Sequence, residues 1–189
     1  MVSTFTSALR ATLNASSSVS TPTVVLWKKI SEKIYRRPVK GGLANVLFLQ
    51  AAVEDLPGEL NSIASEVTVQ LPWGSLLRGV LGANEVVLRN LRRVCSPLAR
   101  LTVIAGLDPE RDHFEWERLG LEEISLDYLE LVLAAKYLAA GFRILQAEEL
   151  SATDLSQLHS SWARRLDRSS TRSFFRIVAE AGGSELSAS

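Results

Sequence analysis

Apolar positions along this chain change their spacing from segment to segment, and each change marks an element. In "LWKKISEKIYRR" (26–37), Leu26, Ile30 and Ile34 recur four apart, which predicts a helix ending before Pro38 and the Gly41-Gly42 pair. "NVLFLQAA" (45–52) is continuously apolar, the mark of a strand covered on both faces, and "EVTVQL" (66–71) predicts a second strand. "NEVVLRNLRRVC" (84–95) has helical spacing with Asn84 placed to cap it, and "RLTVIAG" (100–106) is a third strand. "SLDYLELVLAAKYLAAG" (125–141) predicts a long helix closed by Gly141, followed by a strand in "FRILQAEEL" (142–150). "SATDLSQLHSSWARRL" (151–166) predicts a helix capped by Ser151 or Thr153, and "SFFRIVAEA" (173–181) a last strand. Strands spaced by helices imply an α/β domain with a mainly parallel, doubly wound sheet.

Residues 1–25 stand apart from this pattern. They are rich in Ser and Thr, carry Arg10 as their one charge, and read as an atypical segment ahead of a domain over 26–182 and a short tail over 183–189. Nucleotide-binding sheets of this kind open with a strand feeding a glycine-rich turn at a helix amino end. Neither the strand nor the turn is expected here, because the first glycine is Gly41.

Composition narrows the class. With 189 residues, 47% hydrophobic and 22% charged, the chain is long enough for one well-buried core, and no apolar run has the length of a membrane span. The lone Cys95 excludes an internal disulfide framework and points to a cytoplasmic protein; in "RRVCSPL" it reads as a small core residue. His113 and His159 have neither triad nor metal spacing, so no metal is expected. The zero net charge conceals segregation: six cations face Glu32 over Lys28–Lys40, five arginines face Asp167 over Arg164–Arg176, and nine carboxylates face Arg111 and Arg118 over Asp108–Glu130. Two basic segments far apart in sequence form one anion-binding face if the fold joins them, or else two solvated helix faces.

The block "RRPVKGGLANVLFLQAAVEDLPGEL", the stretch "VTVQLPWGSLLRGVLG", and "SSWARRL" with "RSFFRIV" together resemble the aminoglycoside-resistance 16S rRNA methyltransferases. The resemblance runs from about Leu26 to Val178. It implies a Rossmann-like class I methyltransferase fold, S-adenosylmethionine as methyl donor, and N1 of adenine 1408 as target. The partner it implies is 16S rRNA in the small ribosomal subunit, met by a monomer with no membrane attachment.

The same resemblance assigns roles residue by residue. Trp73 and Trp162 match the family's two tryptophans that stack on the flipped adenine, as an enzyme working on a base edge requires. Read from the residues alone, Trp73 is more readily a core or lid residue, and for Trp162 packing on an amphipathic helix competes equally. Val53 and Glu54 match cofactor-adenine contacts, while Leu71, Pro72 and Ser75 match the methyl-donor side. Arg36, Arg37 and Lys40 on one side, with Arg164, Arg165 and Arg172 on the other, are expected to grip phosphates, which positions the enzyme without reading sequence.

Codon arithmetic offers one account of the unusual front. Read one base out of frame, the Met1-Val2 junction encodes glycine, Phe5-Thr6 encodes Tyr or His, and Trp27-Lys28 encodes glutamate. The junctions from Ala15 through Thr23 permit apolar, apolar, apolar, Gly, apolar, Asp, Ala, Asn, which looks like the missing cofactor segment. A frameshift near Leu26 to Lys29 is therefore expected, with a naturally divergent segment as the alternative. On either account the expected activity is impaired cofactor binding, and a non-catalytic RNA-binding remnant is the competing function.

Overall fold

The computed structural model describes residues 9–13, 37–40, 51–108, 112–120, 124–151, 154 and 172–182. Most of the helices expected over 26–37 and 151–166, and all but Ala51 and Ala52 of the strand expected over 45–52, lie outside the described residues; those two alanines are not in a strand.

Five strands form one sheet in the order β1-β2-β3-β5-β4: β1 (Leu9–Leu13), β2 (Ala64–Gln70), β3 (Cys95–Leu107), β4 (Phe142–Glu149) and β5 (Ser173–Ala181). β1 and β3 flank β2 in parallel, with Leu13 opposite Val69 and Gln70 opposite Ile104. β5 runs antiparallel to both β3 and β4, so four strands share one direction and one opposes them. The hydrogen bonding is thus mixed, although the strand directions are mainly parallel. β1 was not expected, yet "LRATL" alternates apolar Leu9, Ala11 and Leu13 with polar Arg10 and Thr12 at the strand period. Five residues are too short a run to stand out among the surrounding serines and threonines.

Alternation decides which side chains enter the core. Val67 and Val69 of β2, Leu101, Val103, Ala105 and Leu107 of β3, and Ile177 and Ala179 of β5 are buried in one cluster with the helices. Helix α1 (Gly74–Leu81) contributes Leu76, Leu77, Val80 and Leu81 to it, and α2 (Glu85–Val94) contributes Val87, Leu88, Leu91 and Val94. Asn84 caps α2 as its position predicts, its side-chain oxygen accepting from the amides of Val86 and Val87 at 3.1 and 3.3 Å. On the other face Ile104, Phe174 and Leu150 form a small second cluster with Leu71 against it.

The stretch expected to be one α-helix over 125–141 is helical but not uniform. A π-wound segment (Tyr128–Leu133) leads into α4 (Ala134–Ala139), and Gly141 closes it at φ 86°, in the left-handed region glycine tolerates. A further short helix, α3 (His113–Leu119), follows β3. Among the described residues no helix is long and apolar enough to cross a membrane.

Cys95 is a buried free thiol, as expected of a small core residue. Burial raises its pKa from 9.0 to about 11, opposed by the nearby Arg92 cation. The folded state therefore holds this proton more tightly than the unfolded chain, and the stability it contributes is intact below pH 9 and lost as pH rises toward 11. Native protein at pH 8 should react with an aromatic disulfide reagent far more slowly than urea-unfolded protein, which absorbance of the released thiolate measures. Equal rates would show an accessible thiol.

Close packing of α1 on α2 gives a second expectation. A methyl group on Gly79 would meet the Val87 side chain at 2.5 to 2.9 Å. Alanine favours a helix interior by about 1 kcal/mol over glycine, but overpacking costs about 1–3 kcal/mol. Gly79→Ala should therefore destabilise the fold by about 1 kcal/mol in urea denaturation, and an unchanged midpoint would show that the helices separate freely.

Candidate functional site

The site is built where β2 ends. Gln70 is the last paired residue; the chain then passes Leu71 at φ 48°, buried Pro72, extended Trp73 (φ −139°, ψ 160°) and Gly74 at φ 60° before α1 begins. Proline has no amide to continue the ladder, and Gly74 adopts the left-handed backbone without a Cβ penalty. Leu71 does carry that penalty, of roughly 1–2 kcal/mol. It is offset by the Leu71 amide donating to the Ile104 carbonyl at 2.7 Å and by apolar contact with the second cluster. The result presents the Trp73 side chain 38% exposed at the tip of α1. The N-cap residue Trp73 makes no side-chain hydrogen bond to the first amides of α1, and Ser75 in its first turn is exposed.

A second piece is the 3₁₀ turn Val53–Asp55. Val53 is buried in the main cluster with Leu76 and Leu77 of α1, which keeps the turn on the helix-covered face of the sheet. Its main chain is held from α2: Asn90 donates to the Glu54 carbonyl at 3.2 Å, and Arg93 donates to the Leu56 carbonyl at 2.7 Å and to the Asn61 side chain. Because these bonds use backbone oxygens, the Glu54 carboxylate is left exposed. Val53 and the α1 residues Leu76 and Leu77 thus share one core cluster, whereas the Leu71 side chain packs against the second.

The basic residues divide. Arg37 and Lys40 are exposed on either side of a short turn, closed by the Lys40 amide donating to the Arg37 carbonyl at 2.8 Å. Trp162, Arg36, Arg164 and Arg165 lie outside the described residues. Arg172 departs from the expectation that it is offered to phosphate: its side chain is only 9% exposed. Its guanidinium donates to Asp112 at 2.8 and 3.3 Å and to the Gly106 carbonyl at 3.0 Å, with Asp108 3.9 Å away. A charge count along the sequence could not reveal this, because it does not distinguish a solvated cation from one neutralised in the interior. Arg176, counted in the same basic segment, is paired with Glu148.

Asp108 and Asp112 are the residues the sequence reading overlooked, submerged in a long acidic stretch. They follow the buried end of β3 four residues apart, and the Asp108 amide donates to the Asp112 carboxylate at 3.0 Å. Ser151, one of two suggested caps, is confirmed as a reciprocal partner of Asp154: its amide and hydroxyl donate to the carboxylate at 2.9 and 2.6 Å, and the Asp154 amide donates back at 3.3 Å. Those bonds hold the Asp154 carboxyl below its ordinary pKa.

Asp112 accepts two of the Arg172 hydrogen bonds and the one from the Asp108 amide, while Asp108 remains beside the Arg172 charge, so losing Asp112 costs about 1–3 kcal/mol for buried groups left unsatisfied. Asp112→Ala should lose stability of that order in urea denaturation, and Asp112→Asn, which retains an acceptor, should lose less. Equal and small losses would show the cluster to be solvated.

Known proteins share this arrangement of elements. A family model described as 16S rRNA (adenine(1408)-N(1))-methyltransferase matches residues 25–181. An Escherichia coli protein of that description is 37% identical over 152 residues, 78% of this chain and 68% of the relative. One from Streptoalloteichus hindustanus is 37% identical over 155 residues, covering 82% and 70%. The crystal structure of the aminoglycoside-resistance methyltransferase NpmB1 superposes with a TM-score of 0.67 at 39% identity, over 91% of this chain and 74% of that one. A variant of the Catenulisporales acidiphilia 16S rRNA (adenine(1408)-N(1))-methyltransferase, solved with cosubstrate SAM, gives a TM-score of 0.72 at 32% identity, over 85% and 73%. The sheet is accordingly that of a class I methyltransferase, and the chain belongs to the 16S rRNA (adenine(1408)-N(1))-methyltransferase family.

Proposed function

We propose that this chain, acting as a monomer in the cytoplasm, methylates N1 of adenine 1408 in the 16S rRNA of small ribosomal subunits. The observation that carries the reading, beside family membership, is the exposed Trp73 ring held between two left-handed residues at the carboxyl end of a central strand. Ligands of open α/β sheets sit beyond the carboxyl ends of the strands, and a flipped base needs an aromatic face to stack on. Trp73 is one wall of that clamp, and Trp162 is its opposite wall by the family correspondence. Arg37 and Lys40, exposed to solvent, meet phosphates, together with Arg36, Arg164 and Arg165.

S-adenosylmethionine supplies, when bound, an electrophilic sulfonium methyl group. The described residues fit that donor: the exposed Glu54 carboxylate and the uncapped amides of α1 offer an acceptor and donors, and buried Val53 and Pro72 offer apolar walls. Adenine N1 carries a free lone pair and no proton, so the task of Val53, Glu54, Pro72, Trp73, Ser75 and the main chain of Leu71, whose side chain packs on the second cluster, is orientation and exclusion of water rather than proton transfer.

Small subunits incubated with tritiated S-adenosylmethionine should gain label, with reverse transcription halting at adenine 1408. Base stacking is worth about 1–3 kcal/mol, so Trp73→Ala should lower the rate by about five- to a hundredfold while calorimetry shows donor affinity unchanged. Subunit binding without methyl transfer at millimolar donor would instead establish a non-catalytic RNA-binding remnant. Undiminished transfer by Trp73→Ala would remove the stacking role.

A further inference from the structure

Helix α1 is closed at one end and open at the other. The last four carbonyls of any α-helix lack partners within it, and here all four are accounted for. The Arg78 carbonyl accepts from the Gly82 amide at 2.9 Å and the Gly79 carbonyl from the Asn84 amide at 3.0 Å. The Val80 carbonyl accepts from the Tyr137 hydroxyl at 3.0 Å and the Leu81 carbonyl from the Tyr128 hydroxyl at 2.8 Å. The latter two donors come from a different element altogether, and both phenols are buried. At the amino end stands Trp73, whose side chain makes no capping hydrogen bond.

The two phenols reach neighbouring carbonyls only because their helix is irregular. Tyr128 and Tyr137 are nine positions apart, about two and a half turns of a straight α-helix, which would put them on opposite sides. The π-wound segment Tyr128–Leu133 takes in one more residue per turn and brings them round to the same side. A π-turn is rare and weakens a helix, so its retention at this point calls for a purpose. Burial and the neighbouring Tyr128 push the Tyr137 phenol well above its ordinary pKa, so it stays a donor throughout the working range.

We propose that Tyr128 and Tyr137 are positioning residues for methyl transfer, acting through α1 to set where Trp73 meets the target base. This rests on the function proposed above for Trp73. Gly79 contributes from the side, since its lack of a Cβ lets α1 lie flush on Val87. The helix is therefore fixed behind and beneath, and its tip is placed by residues that never touch substrate.

The test is the Tyr128→Phe/Tyr137→Phe double variant, with Tyr128→Phe alone as a milder form if the double variant is unfolded. In folded protein, the single-turnover methylation rate at saturating subunit and donor should fall about tenfold, with KM for subunits and donor affinity within twofold of wild type. A merely structural role would lower the melting temperature and leave that rate intact below it, which overturns the proposal. Fluorine NMR of protein carrying 5-fluorotryptophan gives an independent reading, the Trp73 line being assigned by its loss in Trp73→Phe. That line should shift or broaden in the Tyr variants, and an unmoved line refutes the positioning role. If wild-type chain transfers no methyl group to subunits, the failure belongs to the proposed function, and the fluorine line decides the positioning question alone.

Discussion

Between Gln70 and Ser75 the chain must leave a strand paired on both sides and enter a helix packed against the same sheet, within four residues. That reversal constrains everything near the site. A gradual turn would leave backbone groups of the strand end buried without partners, at a cost comparable to a lost hydrogen bond each. Two left-handed residues and a proline make the turn abrupt instead, and the Leu71 amide finds the Ile104 carbonyl on β3. Trp73 is left 38% exposed, while Leu76 and Leu77 just after it enter the main cluster. Its exposure follows from the backbone path, whichever ligand comes to cover it.

A second constraint operates at the end of β3. Asp108, Asp112 and Arg172 hold charge in the interior, where attraction is strong and desolvation costly, so the cluster is retained only because hydrogen bonds satisfy most of its groups. Surface pairs such as Arg89 with Glu85, both largely exposed, are worth at most about 1 kcal/mol and constrain nothing. The interior cluster binds the start of β5 to the loop after β3, and Phe174, two residues on, lies over Gly106, where a Cβ would meet its ring at 2.6 Å. The positive character expected of the whole Arg164–Arg176 segment is thereby reduced at its carboxyl end.

How far the fold could be read from the chain depended on whether each signal was local. Asn84 capping α2, Gly141 closing α4 and the strand Ser173–Ala181 all matched expectation, because caps, left-handed glycines and alternating runs express themselves over a few residues. The π-turn did not, since Leu129, Leu133 and Tyr137 keep an acceptable helical spacing and the extra residue is stabilised by carbonyls on another helix. α1 is not among the expected helices because its four apolar residues make a short run directly after a proline-tryptophan-glycine turn. For the site, the family resemblance named Trp73 and Glu54, and the structure leaves both exposed. It also named Arg172, whose interior pairing depends on two aspartates sixty and more residues away in sequence.

The geometry of α1 explains why distant residues matter to a reaction that needs no acid or base. Eight residues make a helix about 12 Å long, so a swing of roughly 5° about its carboxyl end moves the amino end by about 1 Å. A misplacement of that size at reacting atoms costs on the order of a hundredfold in rate. Stacking alone cannot correct it, since an aromatic face is tolerant of sliding and supplies only about 1–3 kcal/mol. The precision must therefore come from the scaffold. The satisfied carbonyls at one end of α1 and the Gly79–Val87 contact along its side supply it, at the end of the helix away from the base and methyl donor proposed to meet Trp73.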